Sequence, residues 1–118
     1  MTSEIRDLMH RSLFHVFGER DAGRRKASIV ETYSEDVTFN DPEGTVTGRA
    51  ALAEKVQGLL DSAPEFAFHP VGDVRESGDL GLLAWAFGPA AGPPVTTGMD
   101  IAIIRGGRIV TLYTLVDA

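Results

Sequence analysis

The sequence predicts an α+β domain in which three helices pack on the concave face of a strongly curved, mainly antiparallel sheet. Two patterns and one count predict it. Helical spacing of apolar residues is confined to the first half of the chain, while everything after Pro64 alternates with period two between turn signals. Helices followed by a run of strands define the α+β class. The count is 118 residues, 43% of them hydrophobic, which suits one core and one domain spanning residues 1–118.

Residues 2 to 17 read as an amphipathic helix, with Ile5, Leu8, Met9, Leu13, Val16 and Phe17 on one stripe. Thr2 or Ser3 can cap its first turn, Glu4 and Asp7 complement its dipole, and Gly18 stops it. Asp21 reads as the N-cap of a second helix running to about Tyr33, with Ala22, Ile29, Val30 and Tyr33 as its apolar side. Val37 to Asp41 alternates as a strand that Pro42-Glu43-Gly44 breaks, and Thr45 to Thr47 forms a short return. Helical spacing resumes from Gly48 to Leu60, through Leu52, Val56, Leu59 and Leu60, and ends at Ala63-Pro64.

The remaining chain is sheet. Phe66 to Glu76 alternates, and Pro70 and Gly72 within it point to an edge position or a bulge. Leu80 to Phe87, Val95 to Arg105 and Arg108 to Val116 follow. A Pro- and Gly-rich loop from Gly88 to Pro94 separates the first two, and Gly106-Gly107 is a two-residue hairpin signal. A curved sheet wrapped around three helices encloses an apolar cavity at its mouth.

Charge and composition exclude several functions. The net charge is −6, from 11 Lys and Arg against 17 Asp and Glu. Without a basic stripe to neutralise phosphates, a nucleic-acid partner is not expected. The short cluster Arg24-Arg25-Lys26 reads as a solvated helix face. Zero cysteines exclude disulfides, a thiol nucleophile and Cys-ligated zinc. No apolar run approaches the ~20 residues that span a bilayer, and the charged start is not a signal peptide, so a cytoplasmic protein with no membrane partner is expected. His10 and His15, five apart on a helix, point about 140° apart and cannot clip a metal.

Two carboxylates stand out. Asp41 shares a strand face with Val37 and Phe39, and Asp100 lies within the apolar run Gly98 to Ile104. A carboxylate on an apolar face must be paired, hydrogen-bonded or protonated, which makes it a candidate for acid–base work. The plainer reading is that Asp41 caps the turn at Pro42 and Asp100 bonds a backbone N–H. Leu83, Trp85 and Phe87 alternate on one strand face, as do Leu112, Thr114 and Val116; they serve core packing or line a cavity.

The order of these motifs resembles the nuclear transport factor 2-like superfamily, in its SnoaL-like and ketosteroid-isomerase-like branch. The stretches that carry the resemblance are Thr38 to Gly44, Gly48 to Leu52, Gly98-Met99-Asp100 and Gly106 to Val110, and it covers essentially the whole chain. It implies a cone-like barrel. It also implies that Asp41 is a general base and Asp100 a protonated oxyanion donor, with Leu83, Trp85, Phe87, Leu112 and Val116 lining the pocket. Leu13, Phe17, Phe39 and Val56 complete the candidate lining set. The phenolic donor that ketosteroid isomerase carries on its first helix falls at or near Leu13, which has no hydroxyl. Losing one such donor costs about 10²–10³ in rate, so steroid isomerisation itself is not expected.

The function expected is binding of a small apolar molecule, with a cofactor-independent acid–base activity of isomerase or cyclase type: Asp41 takes a proton α to a carbonyl and Asp100 donates to the developing enolate. Neither step requires a metal or nucleotide. The competing expectation is a non-catalytic dimeric ligand-binding or protein-interaction module. Met99, Ile101, Ile103, Tyr113 and Leu115 form a second apolar face that the helices cannot cover, and a homodimer through it is expected. The two carboxylates are expected to share one site, with one of them protonated near neutral pH.

Overall fold

The computed structural model describes residues 3–117. Helix α1 (Glu4–Arg11) begins at Ser3, whose side chain accepts from the Arg6 backbone N–H. Thr2, the other candidate cap, lies outside the described residues. The helix continues as a π-helical segment, Ser12–Phe17, where the Gly18 N–H bonds Leu13 O five residues back at 2.8 Å. The wider turn puts Ser12, Leu13, Val16 and Phe17 all in the interior.

Helix α2 (Ala22–Thr32) starts at Asp21, whose carboxylate accepts from the Arg24 N–H, and helix α3 spans Arg49–Ser62. Two expectations on α2 are overturned. Ala22 and Val30 are exposed rather than part of the apolar side, and Arg25 is buried rather than solvated. The Arg25 guanidinium donates to Glu19 O at 2.6 Å and to the Gln57 side chain, so the polar cradle between α2 and α3 replaces its water.

The strands are β1 (Tyr33–Asp41), β2 (Gly44–Thr47), β3 (Phe66–Ser77), β4 (Leu80–Pro89), β5 (Thr96–Arg105) and β6 (Arg108–Val116). They form one sheet in the order β2-β1-β6-β5-β4-β3, antiparallel except for the β1–β6 pair. The sheet curls around the helices without closing, so the barrel that the resemblance implied is an open one with β2 and β3 at its edges. The register of β3 shifts between Val71 and Arg75, around Gly72, which agrees with the bulge and edge position expected there. Gly106 and Gly107, at φ +58° and +77°, make the tight β5–β6 turn that only successive left-handed residues allow.

Alternation places Leu83, Trp85, Phe87, Asp100, Ala102, Ile104 and Leu112 inward, against Leu13, Val16, Ile29, Tyr33, Val37, Leu52 and Val56. The outer face is also apolar. Across β4, β5 and β6 it carries the rows Leu82–Ile101–Tyr113 and Ala84–Met99–Leu115, and Tyr113 and Leu115 are 46% and 55% exposed. Among the described residues no helix is long and apolar enough to cross a membrane.

Candidate functional site

The inner sheet face and the helices do not meet at the end of the molecule where β1 finishes, and a cavity of about 350 Å³ opens there. Of the expected residues, Leu13, Phe17, Phe39, Asp41, Trp85, Phe87, Asp100 and Val116 line it. Val56, Leu83 and Leu112 do not. They point the right way but lie deeper, at 0–1% exposure, where packing between sheet and helices leaves no space. The sequence reading missed Phe66 and Phe68 of β3, Leu59 of α3 and Thr114 of β6, which also line the cavity. Phe66 and Phe68 were discoverable, since they occupy alternate positions at the start of a strand.

Six aromatic rings form the walls. Phe68 stacks on Phe87 with centroids 4.1 Å apart and meets Trp85 edge-on at 5.5 Å, while Phe17 touches both Phe39 and Phe68.

Asp100, 6% exposed, sits at the inner end. Its Oδ1 accepts from Trp85 Nε1 at 3.0 Å and from Thr114 Oγ1 at 2.8 Å, one donor from each neighbouring strand. Its Oδ2 takes no hydrogen bond among the described residues. The backbone N–H partner expected for Asp100 is thus replaced by two side chains. Burial pushes its carboxyl up to about 6, against the pull of the Thr114 and Trp85 hydrogen bonds toward the ionised form.

Trp85 reaches Asp100 because Gly98, its cross-strand partner, has no side chain. A Cβ there would lie 2.4 Å from the indole ring and 2.3 Å from Leu115 O. Beside the cavity lies the fully buried phenol of Tyr33, hydrogen-bonded to Ser12. Burial, and to a lesser degree the Asp100 charge, hold that phenol above its ordinary range.

Asp41 occupies the mouth, at the end of β1. Its Oδ1 accepts from the Glu43 N–H at 2.9 Å, the turn cap that the sequence suggested. Its Oδ2 pairs with Lys55 Nζ at 2.9 Å. Lys55 also binds Glu43, and these two carboxylates hold its ammonium above its ordinary range. The expected sharing of one proton between Asp41 and Asp100 is therefore replaced by two different environments, one ion-paired at the mouth and one desolvated at the floor. Lys55 carried no signal in the sequence, because only the docking of α3 on β1 brings it to Asp41. A vestibule lined by Asp41, Glu43, Glu54 and Lys55 adjoins the mouth.

The chain's residues 10–112 match the family model of the SnoaL-like domain. No curated relative matches the chain in sequence. Among solved structures, it is similar to a provisionally named isomerase of the SnoaL-like family from Agrobacterium tumefaciens, with a TM-score of 0.90 and 19% identity over 99% of this chain and 100% of the other. It is also similar to a provisionally named polyketide cyclase from Sinorhizobium meliloti, with a TM-score of 0.74 and 20% identity over 92% and 93% of the two chains. A provisionally named ketosteroid isomerase from Kribbella flavida gives a TM-score of 0.74 and 14% identity over 98% and 78%. At these identities the likeness is one of fold.

Proposed function

This chain belongs to the SnoaL-like domain family, and we propose that it binds a small apolar molecule in the aromatic cavity and performs cofactor-independent acid–base chemistry on it. One observation carries this: two carboxylates in different environments line one apolar cavity, and the buried one has an oxygen free of partners among the described residues. The reaction is proton abstraction α to a carbonyl. The Asp41 carboxylate takes the proton from carbon, the C–H electron pair becomes the enolate, and Asp100, in the protonated form it holds below about pH 6, donates a hydrogen bond from Oδ2 to the enolate oxygen. Return of the proton to another carbon completes an isomerisation; attack of the enolate carbon on a second carbonyl gives an alkoxide, and return of the proton from Asp41 to that oxygen completes a cyclisation. The names of the Sinorhizobium and Kribbella proteins support this class of reaction.

The test is exchange of the α-protons of 2-tetralone in deuterated buffer, followed by NMR. Wild type is expected to accelerate exchange, and Asp41→Asn to lose the acceleration while still binding the ketone. Exchange at the buffer rate overturns the reaction.

One observation favours binding without turnover. Both Asp41 oxygens are engaged, one by the Glu43 N–H and one by Lys55, as in a structural turn. The apolar outer face further supports a homodimer through β4, β5 and β6, where Tyr113 and Leu115 protrude.

A further inference from the structure

We infer, on the reading that a small apolar molecule fills this cavity, that the preferred ligand carries a basic amine whose ammonium pairs with Asp100 Oδ2 inside the aromatic walls. A buried carboxylate needs a partner of opposite charge or a full set of donors. The protein gives Asp100 two neutral donors, both on Oδ1, and leaves Oδ2 to whatever enters. Two carboxylates line the cavity, and no Lys, Arg or His does so among the described residues. The nearest cation in the vestibule, Lys55, is held by Asp41 and Glu43.

The rings of Phe17, Phe68, Trp85 and Phe87 line the cavity, and an aromatic face attracts a cation and repels an anion. Asp41, Glu43 and Glu54 outnumber Lys55 at the entrance, so the approach also favours a cation and opposes an acid. A carbonyl ligand, by contrast, needs the proton on Asp100. With its carboxyl at about 6, that proton is mostly gone at pH 7.5, whereas an alkylammonium brings its own.

The groups that face Asp100 are Trp85 from β4, Thr114 from β6, the Tyr33 phenol backed by Ser12, and Asp41 across the cavity. An ammonium and a carbonyl thus compete for one oxygen, and pH sorts them.

Three compounds with one carbon skeleton test this: 2-aminotetralin, 2-tetralone and tetralin-2-carboxylate. Binding is followed by the emission of Trp85, the chain's single tryptophan, and by shifts of cavity signals in NMR. At pH 7.5 the amine is expected to bind about tenfold more tightly than the ketone, the order of one charge-assisted hydrogen bond, with the carboxylate weakest. Asp100→Asn is expected to abolish the preference, as is lowering wild type to pH 5. If Asp100→Asn fails to fold, the pH arm on wild type decides. Ketone or carboxylate binding as tight as the amine at pH 7.5 overturns the amine and leaves the apolar cavity standing. Binding of none of the three overturns both.

Discussion

Trp85 and Asp100 are joined diagonally across the β4–β5 pair. Trp85 lies opposite Gly98 and Asp100 opposite Leu83, yet the indole N–H reaches the carboxylate at 3.0 Å. The bond exists because the ring lies across the bare backbone of Gly98. Gly98→Ala is therefore expected to destabilise the fold by about 1–3 kcal/mol, the usual cost of overpacking a rigid site. Trp85 emission should shift even where the protein remains folded. Denaturant unfolding followed by fluorescence checks both, and an unchanged midpoint with unchanged emission refutes the role given to Gly98.

The pH dependence of stability follows from Asp100. Its carboxyl stands at about 6 in the folded chain against 3.8 in the ordinary state, so the folded form holds its proton longer. That contribution to stability is complete below pH 4 and is lost as pH rises to about 6, a change of about 3 kcal/mol. Asp100→Asn cannot ionise. It is expected to match wild type at pH 3 and to exceed it by about 3 kcal/mol at pH 8, as read from urea midpoints across that range.

Arg20 ties the cavity's rim together. Its guanidinium donates to Leu60 O, Ala63 O and Phe66 O, which joins the end of α3 to the start of β3. Arg20→Ala is expected to cost about 1–2 kcal/mol, since three carbonyls lose a charged donor and Leu60 O and Ala63 O keep only the Ala63 and Phe66 backbone N–H groups. Arg20→Lys should recover only part, because a point charge cannot fork between three acceptors. Full recovery by Lys in thermal unfolding would contradict this.

The outer sheet face predicts the assembly. Ile101 lies at its centre, between Leu82 and Tyr113. Ile101→Glu is expected to turn a dimer into a folded monomer, by light scattering with circular dichroism as the control. A wild-type monomer at micromolar concentration removes the dimer altogether.

Local signals were legible in the sequence and long-range ones were not. Asp21 as a cap, Gly106-Gly107 as a turn and Gly72 as a bulge depend on a few neighbouring residues, and each stands where expected. Asp100 was visible as a charge in an apolar run. Its partners were not, because Trp85 and Thr114 reach it only through the register of three strands. Period-two alternation gave the face of Leu83 and Leu112 but not their depth, which depends on how far the helices fill the curl. Arg25 was misjudged and Lys55 passed over for one reason: a cation's partners on other elements cannot be read from its own helix.

The π-helical segment at Ser12–Phe17 has an evolutionary consequence. Such a segment is an α-helix carrying one surplus residue, absorbed locally as a wider turn. Phe14 and His15 are the exposed positions within it, so loss of either lets the segment relax to ordinary pitch while Leu13 and Phe17 keep their places at the cavity. A one-residue gap at this point in an aligned relative therefore marks the same architecture with its helix unbulged, and no rearrangement of the chamber behind it.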